Sequence, residues 1–141
     1  MKPTTLLIAE SDAELCDLYQ RFIATRGFAV ETASDGLDCL AKLRRATPAA
    51  VVLDLELPWG GGSGVLAWLR EERAASDVPV ILTATAAHPA DAGQCIAPPV
   101  IDFLPKPFPL TTLLDKVRTA VARGTQATAG QVPASTELYF G

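Results

Sequence analysis

Histidine is almost missing from this chain, with His88 the only one, and its three cysteines, Cys16, Cys39 and Cys95, lie far apart. No CxxC pair and no Cys/His cluster can be drawn from them, which argues against both a disulfide framework and a zinc site. They read instead as small apolar fillers of helix faces in a reducing compartment. Basic runs are also missing, and the formal net charge is -4, so direct contact with nucleic acid is not expected. Nor is there a long hydrophobic run. The first one, residues 6–9, is too short for the core of a signal peptide and far too short to cross a bilayer. Together these absences point to a cytoplasmic protein without membrane contact.

What the chain does have is apolar content: 49% of its 141 residues are hydrophobic, enough for the core of one ordinary domain. Short apolar runs alternate with amphipathic segments. Residues 6–9, 28–32, 49–53, 78–82 and 100–104 read as strands, the third being β-branched at its centre and ending on Asp54. Helices are expected on the stripes Leu15/Leu18/Tyr19/Phe22, Leu37/Leu40/Ala41, Val65/Leu66/Leu69 and Leu110/Leu113/Leu114/Val117/Val121. Ser11 or Asp12 can cap the first helix and Gly27 stops it. Residues 86–99 stay ambiguous, because helical alanines are interrupted by Pro89, Gly93 and Pro98-Pro99. The folded domain is expected over 4–122. Residues 123–135, rich in Gly, Ala, Thr and Gln, read as a linker or disordered tail, and 136–141 as the remnant of a cleavage tag.

Strands alternating with helices imply right-handed crossovers and a parallel sheet covered on both faces. In such sheets, sites form beyond the carboxyl ends of the strands. The polar residues at those ends are Glu10, Asp54, Thr83 and Lys106, from four separate stretches of sequence. Two acids that repel each other there invite a hard cation such as Mg²⁺, while a lysine and a hydroxyl can hold an anion. Acid, cation, hydroxyl and lysine are the parts needed to transfer a phosphoryl group to Asp54.

Residues 4–122 resemble the receiver domain of bacterial response regulators, in element order and in motif placement. Leu53-Asp54-Leu55-Glu56-Leu57-Pro58 is similar to that family's phosphoacceptor strand end, Gly62 matches its glycine eight residues later, Thr83-Ala84 its switch hydroxyl, and Lys106-Pro107-Phe108 its lysine signature. The resemblance implies a flavodoxin-like receiver fold: α/β, a five-stranded parallel sheet of order 2-1-3-4-5, helices on both faces. It implies Asp54 as phosphoacceptor and Lys106 and Thr83 as catalytic partners. Thr83 with Phe103 would form the switch, and Glu56 and Thr85 would tune phosphate lifetime. Metal ligands would be Glu10, Asp54 and Glu56, through its backbone carbonyl or side chain. Partners would be a histidine kinase or phosphotransfer protein and a downstream protein or output domain, with a homodimer through the last helix.

The acid pair departs from the pattern. Where the family places two adjacent carboxylates, this chain has Glu10-Ser11, so Ser11 stands at the metal-ligand place, as a weak or water-mediated ligand of a weakened Mg²⁺ site. Asp12 is next in line, but capping explains it equally well. Ser11 thus keeps open a second function, a pseudo-receiver that binds partners without phosphorylation. An unrelated flavodoxin-like enzyme would need a phosphate-binding glycine loop after the first strand, where acids stand instead. Competing readings of single residues are plainer: a satisfied strand hydroxyl at Thr83, core packing at Phe103, and packing or partly exposed positions for Trp59 and Trp68.

Overall fold

In a computed structural model the protein is described over residues 3–72, 75, 77–85 and 97–131, the final turns of the last helix as backbone only. Five strands, β1 (Thr5–Ala9), β2 (Ala29–Ala33), β3 (Ala50–Asp54), β4 (Val80–Thr85) and β5 (Val100–Lys106), form a wholly parallel sheet of order β2-β1-β3-β4-β5, as the resemblance implied. The helices are α1 (Ala13–Ala24), α2 (Gly36–Arg45), α3 (Gly61–Glu71) and α4 (Leu110–Gln131).

The strands alternate their side chains between two apolar layers. Leu7, Ala9, Val51, Leu53, Val80 and Leu82 pack with Cys39 and Leu43 of α2 and Val65, Leu66 and Leu69 of α3. Leu6, Ile8, Val52 and Ile81 pack with Tyr19 and Ile23 of α1 and Leu113, Leu114, Val117 and Ala120 of α4. This double burial explains why the strands read as continuous apolar runs rather than as alternating ones. Each fully buried Leu, Ile or Val contributes about 1.5–3 kcal/mol, so the two layers dominate the stability of the fold.

Two helix faces differ from the expected stripes. In α1 the buried residues are Cys16, Tyr19 and Ile23, and Leu18 is 47% exposed. In α2 they are Gly36, Cys39 and Leu43, with Leu37 63% exposed. Cys16 and Cys39, expected as small apolar fillers of helix faces, are both buried there. α3 begins inside the run Gly60-Gly61-Gly62, at Gly61. The backbone of 123–131 is helical, within the stretch expected to be a linker or disordered tail. The expectations for 86–96, including His88 and Cys95, and for 132–141 lie outside the described residues.

Candidate functional site

Register brings the polar strand ends together. Ala9 pairs with Leu53 and Asp54 with Thr83, so Glu10, one residue past β1, stands level with Asp54. Thr85 pairs with Lys106, whose long side chain returns toward the acids. Glu10, Asp54 and Thr83 are the buried polar residues of the described structure, at 1%, 0% and 1% exposure. Burying a charge is costly unless it is paired and hydrogen-bonded, so the partners of these three groups define the site.

Asp54 Oδ2 accepts from the Ser11 hydroxyl at 2.6 Å and from the Ser11 N–H at 3.0 Å, and Lys106 Nζ lies 3.3 Å from it. Oδ1 accepts from the Glu56 N–H at 2.9 Å. Burial by itself would raise the Asp54 pKa. The two Ser11 bonds, the Glu56 N–H and the Lys106 charge outweigh it and hold the carboxyl below its ordinary value. Asp54 is therefore a buried anion.

Glu10 grips the lysine with both oxygens, at 2.9 and 3.0 Å from Nζ, and accepts from the Asp12 N–H at 3.0 Å. Burial raises its pKa, only partly offset by Asp12 and Lys106. For Lys106 burial acts downward, and its contacts with Glu10 and Asp54 carry the net shift upward. The ammonium thus bridges two acids. Beside them the Thr83 hydroxyl is buried without a hydrogen-bond partner. A buried unpartnered hydroxyl costs free energy, and its position next to Asp54 suits an anion yet to arrive.

The loops after the strands are set by close backbone packing. A Cβ on Gly62 would lie 2.6 Å from the Asp54 carbonyl oxygen and 2.7 Å from Leu55 Cα, so only glycine lets α3 start against the end of β3. Gly36 meets the Trp59 carbonyl in the same way, at 2.4 Å, and donates its N–H to Pro58 O at 2.8 Å. On the other side Tyr19 stacks on Phe108, ring centres 5.5 Å apart, and steadies the segment after Lys106. The Lys106–Pro107 peptide bond is cis.

A family model described as the response regulator receiver domain matches residues 6–118. The chain belongs to this receiver family. It is thus a receiver domain of two-component signalling. Among its relatives, Response regulator MprA of Mycobacterium sp. (strain KMS) is 29% identical over 136 residues, covering 96% of this chain and 58% of that protein. Transcriptional regulatory protein KdpE of Mycobacterium tuberculosis is 31% identical over 130 residues, covering 92% of this chain and 56% of that protein. The chain therefore spans little more than half the length of these relatives. In fold it is similar to a CheY-like receiver domain protein from Methanospirillum hungatei, at TM-score 0.81 and 19% identity, covering 89% of this chain and 99% of that one. NtrX from Brucella abortus matches at TM-score 0.82 and 20% identity, over 92% of this chain and 29% of that one.

In this receiver domain Glu10, Ser11, Asp54, Thr83 and Lys106 converge as expected. Glu56 divides: its backbone N–H serves Asp54, whereas its carboxylate oxygens accept from the Thr85 hydroxyl at 2.9 Å and the Thr85 N–H at 3.2 Å. The Glu56 carboxylate thus faces Thr85, while its backbone faces Asp54. Asp12 is a helix cap, accepting from the N–H groups of Glu14 and Leu15, so of the two capping candidates it is Asp12 that closes α1. Phe103 is half-buried against the α2/α3 layer. Trp59 is 72% exposed and Trp68 packs against the core. The Ser11 N–H and Asp12 N–H contacts were not foreseen, because backbone donors leave no mark in residue identity. No helix among the described residues is long and apolar enough to cross a membrane.

Proposed function

We propose that Asp54 accepts a phosphoryl group from a partner histidine kinase or phosphotransfer protein in the cytoplasm. The observation that carries this is a fully buried, ionised Asp54 with a bridging lysine and an unpartnered Thr83 hydroxyl beside it. Oδ2 is crowded by three donors, so Oδ1, with one donor, is the nucleophilic oxygen. It attacks phosphorus as the phosphorus–nitrogen bond of the donor histidine breaks, and the leaving imidazole takes up a proton. Lys106 and Thr83 then hold the phosphoryl oxygens. The domain would catalyse at most its own phosphorylation and the hydrolysis that ends it.

The donor set around Asp54 is all oxygen, which fits Mg²⁺. Asp54, the Glu56 carbonyl and the Ser11 hydroxyl would hold the ion, with Glu10 acting through water. When bound, the cation neutralises charge on the phosphoryl oxygens. Movement of Thr83 toward the phosphoryl group frees space that Phe103 can enter, changing the face made by β5 and α4. That face would engage a downstream protein, an output domain or a second copy of the chain.

The test is incubation with acetyl phosphate, with and without Mg²⁺, read by intact mass. A single metal-dependent phosphate gain that Asp54→Asn abolishes is the expected result. No gain at high Mg²⁺ would favour the second reading, a phosphorylation-independent interaction module. That reading draws support from the Ser11 hydroxyl standing where a carboxylate would otherwise bind metal.

A further inference from the structure

We infer that Ser11 makes cation binding conditional on the phosphoryl group: Mg²⁺ binds the resting site weakly, and phosphoryl oxygens on Asp54 supply the anionic ligand that the chain lacks. The inference deepens the phosphoacceptor reading and rests on it. Its basis is that nothing nearby replaces the missing acid. Asp12 is turned to the N-cap of α1, where its Oδ1 accepts from the N–H groups of Glu14 and Leu15, and both oxygens of Glu56 accept from Thr85. Among the described residues no three His, Cys, Asp or Glu side chains are grouped to hold a metal.

The resting contacts also work against a cation. A carboxylate oxygen offers two lone-pair sites, and Asp54 Oδ2 already faces three donors, the Ser11 hydroxyl, the Ser11 N–H and Lys106. A cation that takes this oxygen must displace the 2.6 Å bond from Ser11 or push back the ammonium. Two carboxylates and one ammonium leave the cluster with a single net negative charge. A phosphoryl group on Asp54 carries up to two charges in place of the one on the free carboxylate. It also gives Lys106 a new anionic partner. Both changes raise the attraction for a divalent cation, and linkage requires that the cation strengthen phosphoryl-group binding by the same factor.

The experiment uses the full chain, titrated with MgCl₂ and followed by tryptophan fluorescence and by Tm, with and without beryllium trifluoride as the phosphoryl mimic. It is run on the wild type and on Ser11→Asp. In the wild type beryllium trifluoride should lower the Mg²⁺ midpoint at least about tenfold. Ser11→Asp should lower the midpoint without the mimic by about tenfold or more, the scale set by lost metal-site contacts, and should show a smaller effect of the mimic. Equal wild-type midpoints with and without a mimic that binds would overturn the inference and leave the phosphoacceptor reading standing. A response confined to Ser11→Asp would overturn it in favour of the phosphorylation-independent module. No response in either protein would remove both readings. The wild-type arm decides the coupling even if the variant does not fold.

Discussion

At the scale of single residues, the site is a contest between burial and partners, and the sign of each pKa shift records which side prevails. Asp54 is held below its ordinary value because hydrogen bonds outweigh burial, so its stabilising contribution is present above the carboxylate range and lost as pH falls through the lowered value. At Cys39 burial prevails over the nearby Lys42 charge and pushes the thiol from 9.0 up to about 12. The folded state then retains a proton that the unfolded chain loses, so stability is intact below pH 9 and falls between 9 and 12. Urea unfolding as a function of pH should show wild type losing on the order of a few kcal/mol across that window. Cys39→Ala, though weaker at neutral pH for its cavity, should give a flatter curve. Glu10, Asp54, Thr83 and Lys106 were legible from sequence because residue type and strand-end position both pointed to them. The direction of the Glu56 carboxylate was not, because it depends on Thr85, a partner at the end of β4 and 29 positions away.

At the scale of elements, strands were easier to read than helix faces. A strand buried on both sides is a plain apolar run, whereas α1 and α2 each carry more apolar residues than their buried stripes use. Leu18 and Leu37 are the surplus. The capping of α1 is clear in outcome: Asp12→Ala should destabilise the domain by about 1 kcal/mol in urea unfolding, the usual cost of a lost N-cap. Ser11→Ala removes no cap and should leave α1 intact by circular dichroism. The junction of β3 and α3 is less forgiving. Gly62→Ala would force a methyl into the Asp54 and Leu55 backbone, with 2.6 and 2.7 Å approaches that no flexible side chain can relieve. Unfolding should show a loss of about 1–3 kcal/mol, and phosphate gain from acetyl phosphate should fall with it because Asp54 itself is displaced.

At the scale of the whole molecule, the order β2-β1-β3-β4-β5 was legible through family resemblance, while composition and periodicity alone led only as far as a parallel sheet. The extent of α4 was not legible, since a Gly- and Thr-rich stretch has weak helix propensity and the backbone nevertheless continues as helix to Gln131. Among the residues of that helix whose side chains are described, the last buried one is Ala120. The junction at Gly62 has a consequence for how such a protein can diverge. Scaffold and chemistry are assigned to different positions: Gly36 and Gly62 are pinned by main-chain atoms that any side chain would strike, whereas Ser11, Glu56 and Thr85 meet the site through exchangeable side chains. On the proposed function, a lineage could thus retune how long and under what ionic conditions its signal lasts by single substitutions, without passing through an unfolded ancestor.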